Sequence, residues 1–382
     1  MYITNDIKYI GVKDLDIDLF EGLYKVKSGI LYNSYVILDD KIAVMDTVET
    51  RFFDEWKNNL EAVLNGKSPD YLIVQHMEPD HSANIYNFAR LYPNAKIVAS
   101  AKAFAMCKNF FGTDFADRQI VVGDGDTLEL GKHTLTFITA PMVHWPEVIL
   151  TYDSYDKVLF SADAFGKFGT DENEAWLDEA RRYYIGIVGK YGAQVLALIK
   201  KAVGLKINKI CSLHGPVLSE NLSEYIEKYA IWASYQPEKD GVLIAYTSIY
   251  GNTKKAAEYL YNKLTEKGVE AKIYDLARSD MYEAVADAFK YSKTVLATTT
   301  YNADIFPYMR EFISKLAERN FSNRTVALIE NGSWAAMAAK IMKQKLEVLK
   351  NITFAENQVT VMSALSDDNK IKLDALAEEL NK

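Results

Sequence analysis

The sequence contains little cysteine. Among its 382 residues only Cys107 and Cys211 are cysteines, and they form no Cys-x-x-Cys pair. This scarcity argues against a disulfide framework and against iron held by thiolate groups. Any metal ion bound by the chain is therefore expected to have nitrogen and oxygen ligands, and we interpret both cysteines as packing residues.

Long apolar runs and an excess of positive charge are also missing. No apolar run approaches the roughly 20 residues that span a bilayer, and the start, MYITND, lacks the basic and apolar regions of a signal peptide. The formal net charge of -8 argues against nucleic acid and anionic membranes as partners, because both require a surplus of Lys and Arg. These absences predict a cytoplasmic protein with neither kind of partner.

The composition is that of a packed globular protein, with 49% hydrophobic and 25% charged residues. A chain of 382 residues is too long for one ordinary core, so we predict two domains. Short β-like runs dominate the first part, whereas strand and helix patterns alternate regularly from Gly241 onward. Residues 232–240, which include Pro237, read as a connector, and we place the domains at 1–238 and 239–382.

The C-terminal part predicts an open parallel sheet with helices on both sides. Its short apolar runs are rich in β-branched residues, as buried parallel strands should be, and they lie at 241–246, 269–276, 294–298, 325–329 and 359–362. Between the first two runs, residues 253–266 place Ala256, Leu260 and Leu264 on one helical face, and Gly268 is a plausible stop. The β-α alternation is typical of a doubly wound fold.

In the N-terminal part, four apolar runs are followed by side chains that bind metals. The runs 71–74, 134–138, 157–160 and 207–212 lead to His76, His144, Asp163 and His214. Strands deliver side chains to one edge of a sheet, so we predict that these four converge on a single site.

The segment 76–81, His-Met-Glu-Pro-Asp-His, adds further potential ligands. Positions 76, 78 and 80 face one cavity if the segment is extended or turning. A solvated polar loop is the alternative, but Pro79 and the preceding apolar run place the segment at a sheet edge. Of the five histidines, His133 alone is interpreted as an ordinary structural residue.

The spacing of this segment resembles that of the metallo-β-lactamase superfamily, whose four-layered αββα fold binds two metals. Hydrolytic members have His-x-His-x-Asp-His, whereas this chain has Glu78 at the second position. A carboxylate in place of an imidazole makes the site harder and more anionic, which suits redox-cycling iron better than zinc. The ligand pattern resembles the flavodiiron family, as do the flanking strings PMVHWP at 141–146, SADAFG at 161–166 and HGP at 214–216.

The flavodiiron resemblance implies a role for each candidate ligand. It assigns His76, Glu78 and His144 to one iron. It assigns Asp80, His81 and His214 to the other iron, with Asp163 as the bridge, although the family can leave the histidine at the position of His81 uncoordinated. Trp145, next to a ligand, is a candidate for shaping the substrate pocket, with a core aromatic as the alternative.

Three loops of the C-terminal part predict a flavin site, because a doubly wound sheet binds its ligand where strand order reverses. The first loop is rich in hydroxyls, leads into a helix and closely resembles flavodoxin phosphate loops: Thr247, Ser248, Ile249, Tyr250, Gly251, Asn252 and Thr253. The other two offer aromatics that stack on a flat ring: Thr299, Thr300, Tyr301 and Asn302, and Asn331, Gly332, Ser333 and Trp334. An ordinary capping turn would look like the first loop alone, whereas all three together favour FMN.

The resemblance extends over essentially the whole chain and implies both fold and function. The expected fold is α/β, with an N-terminal metallo-β-lactamase-like αββα sandwich and a C-terminal flavodoxin-like doubly wound parallel sheet. The expected function is an oxidoreductase that passes electrons from FMN to a non-haem diiron centre reducing dioxygen or nitric oxide. The donor would be a rubredoxin-like protein or reduced coenzyme F420, and the assembly a head-to-tail homodimer or a dimer of dimers. A dinuclear zinc hydrolase fused to a flavodoxin, and a non-catalytic flavin carrier or sensor, remain the alternatives.

Overall fold

The residues that this computed structural model describes, 3–170 and 176–382, divide into two compact units. The N-terminal unit comprises Met1–Tyr184 and Ala193–Ala230, and the C-terminal unit comprises Ile185–Gly192 and Ile231–Lys382. All predicted metal ligands lie in the N-terminal unit, and all predicted flavin loops lie in the C-terminal unit.

The first part of the chain is built from short strands and, among the described residues, seven α-helices. The strands are β1 (Ile7–Tyr9), β2 (Val12–Asp14), β3 (Leu19–Phe20), β4 (Tyr24–Lys25), β5 (Ile30–Tyr32), β6 (Tyr35–Ile37), β7 (Ala43–Met45), β8 (Tyr71–Ile73), β9 (Lys96–Ala99), β10 (Gln119–Val121), β11 (Thr127–Glu129), β12 (Thr134–Thr139), β13 (Ile149–Asp153), β14 (Val158–Phe160) and β15 (Lys209–Cys211). The helices are α1 (Phe53–Leu64), α2 (Pro79–Ser82), α3 (Ile85–Leu91), α4 (Ala101–Phe111), α5 (Trp176–Tyr183), α6 (Gly192–Ala202) and α7 (Leu222–Ala233).

Two mixed sheets enclose the core of the N-terminal unit. One has the strand order β1-β6-β7-β8-β9-β10 and the other the order β11-β12-β13-β14-β15. Strand β12 buries Leu135 and Phe137 on alternate positions, where they meet Met45 and Ile73 of the first sheet in one apolar cluster. This arrangement confirms the predicted sandwich, since two sheets pack face to face through the inner half of their side chains.

The C-terminal unit alternates strands and helices. Its strands are β16 (Lys239–Tyr246), β17 (Ala271–Asp275), β18 (Tyr291–Tyr301), β19 (Asp304–Ile305), β20 (Arg324–Asn331), β21 (Ile352–Phe354) and β22 (Val359–Val361). Its helices are α8 (Asn252–Glu266), α9 (Met281–Lys290), α10 (Pro307–Glu318), α11 (Ala338–Leu346) and α12 (Asp367–Leu380).

The five predicted strands of this unit are confirmed as β16, β17, β18, β20 and β22. They run parallel in the order β17-β16-β18-β20-β22, so the direction of winding reverses between β16 and β18. Helix α8 buries Ala256, Leu260 and Leu264 as expected and ends two residues before Gly268, whose φ is +78°. The short strands β19 and β21 were not predicted.

Both cysteines are free and buried, which confirms their interpretation as packing residues. Cys211 lies in the core between the two sheets of the N-terminal unit. Burial raises the pKa of the Cys107 thiol to about 12, so this thiol stays protonated and unreactive at neutral pH.

Within residues 3–170 and 176–382, each helix is too short or too polar to cross a bilayer.

Candidate functional site

Strand direction brings the candidate ligands of the second sheet to one edge. Strands β14 and β15 are parallel, with Phe160 opposite Cys211, so Asp163 and His214 emerge side by side. Strand β12 is antiparallel to β13 and β13 to β14, so β12 runs with β14 and carries His144 to the same edge.

The segment that runs from β8 of the first sheet into helix α2 supplies the remaining candidates. His76 follows β8, and Glu78 is the N-cap residue of α2 with Pro79 at the first helical position, where proline is favoured. Asp80 and His81 follow in the first turn, and both are buried. A short strand and one helical turn thus present four candidate ligands within six residues.

The first group of side chains consists of His76, Glu78, His144 and one oxygen of Asp163. His144 Nε2 lies 3.1 Å from Glu78 Oε2 and 3.0 Å from Asp163 Oδ2. His76 Nε2 lies 3.3 Å from both of these carboxylate oxygens and 3.3 Å from His144 Nε2. Four ligand atoms of the kind that hold a metal ion therefore surround one position.

The second group consists of Asp80, His81 and His214. His81 Nε2 lies 3.1 Å from His214 Nε2, and Asp80 Oδ2 is 3.2 Å from the first and 3.3 Å from the second. Asp163 reaches this group with its other oxygen, Oδ1, at 3.4 Å from His81 Nε2. The structure thus brings all seven candidate ligands together in two groups, with Asp163 between them.

Several buried polar atoms of these groups make no hydrogen bond. They are both carboxylate oxygens of Asp80, Oδ1 of Asp163 and Nδ1 of His81. Buried polar atoms without a hydrogen bond are uncommon and costly. Asp80 Oδ2 and Asp163 Oδ1 face the Nε2 atom of His81 at 3.2 and 3.4 Å, so positive charge, carried by imidazole protons or by metal ions, would satisfy these oxygens. The donor set of imidazole nitrogens and carboxylate oxygens fits a pair of transition-metal ions.

Neighbouring charges set the protonation of the first group. Burial lowers the pKa of His144, but hydrogen bonds to Asp163 and Glu78 outweigh this effect and raise it to about 9. Burial favours a protonated Asp163, yet the positive charge and hydrogen bonds of the surrounding histidines hold its pKa well below the ordinary value. The carboxylates therefore stay ionised, and bound metal ions would replace the histidine protons.

Two of the histidines are oriented by different partners. His76 Nδ1 donates to Glu147 Oε1 at 2.8 Å, and the same oxygen accepts from the Met77 N–H at 2.8 Å. His214 Nδ1 donates to the Leu31 carbonyl at 2.8 Å. Both bonds leave Nε2 free to face the site, but only His76 is backed by a carboxylate, a contact that strengthens imidazole as a ligand.

Replacing Glu147 with Gln is expected to weaken metal binding by about 10- to 100-fold, because the amide keeps a hydrogen-bond acceptor for His76 but removes the charge. Iron retained by the purified protein during titration with a chelator measures the effect. Glu129→Gln, the same change at an exposed position of β11, is the matched control. Equal chelator resistance of both variants and the wild type would exclude a role for the Glu147 charge.

Several side chains that the sequence did not predict enclose the second group. The ring centroids of Phe20 and Tyr183 lie 5.3 and 5.5 Å from that of His214. Trp145, which was predicted, is half-buried and meets the His76 ring edge-on at 5.3 Å. The sequence offers a signal for Glu147, a carboxylate three positions after a candidate ligand, but none for Phe20.

His133 lies in a separate acidic cluster of the N-terminal unit. Its Nδ1 is 3.1 Å from Asp153 Oδ1 and its Nε2 is 3.5 Å from Asp6 Oδ2, with Asp156 nearby. The ammonium of Lys132 already neutralises Asp6 at 2.7 Å. We therefore keep the interpretation of His133 as a structural residue that ties β1 to the β12–β13 hairpin.

His133→Asn is expected to lower stability most at low pH. Burial lowers the pKa of His133, but Asp153 and Asp6 outweigh it and raise the pKa. The raised pKa means that the stabilisation is complete below the unfolded value of about 6.5 and is lost as pH rises through the folded value. At pH 6 we expect a loss of roughly 2 kcal/mol, the size of a hydrogen bond to a charged group.

The apparent midpoint of thermal unfolding, followed by circular dichroism between pH 6 and 9, measures this loss. Lys201→Met is the control, because it removes an ion pair with Asp124, outside the cluster of His133, and Lys201 remains charged over this range. A destabilisation by His133→Asn that does not shrink toward pH 9 would contradict the ion-pair explanation.

The predicted flavin loops line a cavity of about 760 Å³ in the C-terminal unit. The residues from the prediction that line it are Ser248, Ile249, Tyr250, Asn252, Thr253, Thr299, Thr300, Tyr301, Asn302, Asn331, Gly332, Ser333 and Trp334. Phe306, Met337 and Ser363 also line it and were not predicted. The cavity lies beyond the carboxyl ends of β16, β18 and β20, where doubly wound sheets bind ligands.

Two residues of the first loop are not among those that line this cavity. Thr247 is fully buried, and its hydroxyl pairs with that of Thr298 at 2.6 Å beneath the loop. Gly251 has φ of +89°, a left-handed conformation that favours glycine, and its N–H donates to Ser248 Oγ at 3.0 Å. This turn leads directly into α8, whose unpaired N–H groups suit an anion.

Comparison with known proteins identifies the family. Residues 30–215 match the family described as ODP family beta lactamase, and residues 244–376 match the flavodoxin family. A nitric oxide reductase of Moorella thermoacetica is 31% identical over an alignment of 371 residues that covers 94% of this chain and 92% of that protein. The chain belongs to the flavodiiron protein family.

Solved structures resemble this flavodiiron protein over its whole length. The rubredoxin oxygen:oxidoreductase of Desulfovibrio gigas superposes with a TM-score of 0.93 at 23% identity, covering 100% of this chain and 97% of that one. The flavodiiron protein of Giardia intestinalis gives 0.92 at 24% identity, covering 99% and 96%. At these identities the likeness shows the fold, and it confirms the predicted combination of the two domain types.

Membership of the flavodiiron family implies a diiron centre and FMN, and the residues present fit both. The two groups that share Asp163 bring buried carboxylate oxygens and imidazole nitrogens within the reach of one ion each. The cavity lined by the flavin loops combines hydroxyls, a helix start and the exposed aromatics Tyr250 and Trp334. These features suit a phosphate at one end and a flat ring at the other.

Proposed function

We propose that this flavodiiron protein is an oxidoreductase that passes electrons from FMN to a non-haem diiron site, where dioxygen is reduced to water, nitric oxide to nitrous oxide, or both. The observation that carries the proposal is the position of Asp163, whose two oxygens face two separate groups of imidazoles and carboxylates. The same chain carries a flavodoxin domain, the source of a redox cofactor.

The proposed ligands form the same two groups that the distances between their side-chain atoms define. His76, Glu78 and His144 hold one iron, and Asp163 bridges to the other. Asp80, His81 and His214 complete the second position. When bound, an iron pair would supply a redox-active centre able to take up the gas. The three negative charges of Glu78, Asp80 and Asp163 would nearly balance the four positive charges of two ferrous ions. The resulting site would be close to neutral, which suits an uncharged gas.

For FMN, the proposed phosphate site is the start of α8 with the hydroxyls of Ser248 and Thr253. Tyr250 and Trp334 are 91% and 89% exposed in this chain, more than an aromatic normally is. We assign them to contacts with the flavin ring, which would cover their faces. Trp145, edge-on to His76, is assigned to the wall of the gas-binding pocket.

The proposed electron donor is a separate protein of the rubredoxin type, or reduced coenzyme F420. The two cysteines of this sequence are buried and distant, so they cannot hold a rubredoxin iron. We further propose a cytoplasmic location, a domain boundary between residues 238 and 239, and a head-to-tail homodimer that brings the FMN of one subunit to the irons of the other.

The proposal is tested on protein prepared without oxygen from iron-supplemented cells. Iron and FMN per chain are measured first, and the reduced protein is then mixed with dioxygen and with nitric oxide in separate assays. We expect iron and FMN in the same preparation and rapid consumption of at least one gas. Bound zinc with turnover of an ester or lactam would instead indicate a hydrolase, and flavin reduction without gas consumption would indicate an electron carrier.

A further inference from the structure

The N-terminal unit contains a cavity of about 340 Å³ that lies apart from the two ligand groups. Its floor is the face of the second sheet formed by Leu150, Leu159 and Ile210, and its roof includes Val195 of α6 and Ile226 of α7. Val203, which is 77% exposed, stands on its rim, so the cavity opens to solvent there. The open side leaves the apolar side chains of the walls in contact with water, which an apolar guest would displace favourably.

The lining of this cavity offers almost nothing for a polar ligand. Among the described residues that line it, only Ser223 and Tyr229 have polar side chains. The hydroxyl of Tyr229 already accepts a hydrogen bond from the Phe165 N–H at 2.6 Å. Sites for drug-sized ligands contain several placed polar groups that fix the ligand's orientation. The cavity therefore suits a small apolar molecule that needs no fixed orientation.

The inner wall of the cavity is continuous with the segments that carry two proposed iron ligands. Val143 precedes His144, and Ala164 and Phe165 follow Asp163 directly. Val143 and Ala164 are 2% and 3% exposed, so one apolar layer of side chains separates the cavity from the site. A molecule held in the cavity would therefore contact Val143 and Ala164, which are the sequence neighbours of the proposed ligands His144 and Asp163.

The apolar lining offers water few hydrogen-bond partners, and apolar cavities take up guests such as benzene or xenon. Dioxygen and nitric oxide are small, nearly apolar molecules that prefer such a medium to water. We propose that this cavity, between the second sheet and helices α6 and α7, binds dissolved diatomic gas and delivers it to the adjacent metal site. The inference rests on the proposed function and adds a gas-binding site to it.

Xenon is the probe for gas binding itself. Crystals of the full chain, pressurised with xenon, are expected to show xenon between Leu159 and Val195. Val195→Phe places a phenyl ring at this expected xenon position and should abolish the peak, whereas Leu196→Phe, the next residue of α6 and 39% exposed, should leave it unchanged. Absence of xenon from the wild-type cavity would overturn the proposal.

Steady-state gas consumption tests delivery. Val195→Phe should raise the KM for the gas by about threefold or more while kcat at saturating gas stays the same, the pattern of lost binding without lost chemistry. Iron and FMN content report whether the variant is correctly assembled, and Ile226→Phe, which places a ring in the cavity from α7, replaces it if it is not. An unchanged KM in a variant that has lost the xenon peak would overturn the delivery role.

These outcomes separate the cavity from the proposed function. If the wild type consumes neither gas although it contains iron and FMN, the proposed function fails, and the delivery role fails with it. If the wild type consumes gas normally and Val195→Phe and Ile226→Phe have an unchanged KM for the gas, the proposed function stands and only the inference about the cavity fails.

Discussion

Asp163→Asn is expected to empty both metal positions. The Asp163 carboxylate places Oδ2 3.0 Å from His144 and Oδ1 3.4 Å from His81, so it contributes to both groups at once. An amide has nearly the same size but lacks the charge that both cations require, and its nitrogen cannot bind them. We expect iron to fall to well below one ion per chain and gas reduction to fall by about a thousandfold or more, since the ligands act as a unit.

Iron and FMN per chain, measured in the same sample, check this expectation. FMN should remain, because its proposed site is in the other unit. Asp54→Asn makes the same chemical change at an exposed position of α1 and should leave both contents unchanged. Full iron occupancy in Asp163→Asn would remove this residue from the set of proposed ligands.

Ser248→Glu should have the opposite effect, with loss of FMN and retention of iron. The half-buried Ser248 lines the cavity at the turn before α8, where the phosphate is proposed to bind. A carboxylate about 4 Å from a phosphate at an effective dielectric constant of about 20 is repelled by roughly 4 kcal/mol per unit charge. We therefore expect FMN affinity to fall by at least about 100-fold.

Ser248→Gln is the matched control, because it has nearly the same shape as the Glu variant without its charge. Titration of the flavin-free protein with FMN, followed by quenching of flavin fluorescence, gives the affinity of each variant. If both variants lose affinity equally, the effect is steric and the phosphate is not near Ser248. If neither loses affinity, FMN binds elsewhere.

Much of the site follows from local sequence. The β-branched runs of the C-terminal unit are read correctly because buried parallel strands have a continuous apolar pattern. Each of His76, Asp163 and His214 comes three positions after a strand, where side chains leave the sheet edge. Strands β12, β14 and β15 run in the same direction within one sheet, so their carboxyl ends lie at the same edge. Once the strands are known to pair, no other long-range contact is needed to predict that the side chains after them converge.

Other parts of the site depend on contacts that the sequence does not encode locally. Phe20 reaches His214 from the two-stranded ribbon of β3 and β4, which is nearly two hundred positions away in the chain. Met337 and Ser363 also line the flavin cavity. Their positions depend on the path of the loops that follow β20 and β22, which the local sequence does not specify. Strands of two or three residues, such as β19 and β21, carry too little periodicity to be recognised.

The unequal hydrogen-bond partners of the imidazoles have a consequence for assembly of the centre. Glu147 pulls proton density from His76, whereas the Leu31 carbonyl does so only weakly for His214. A cation held by His76 therefore gains more from its ligand than one held by His214. When iron is scarce, the half-filled protein should carry its single ion beside Glu78 and His144, and the position beside Asp80 should fill last and empty first.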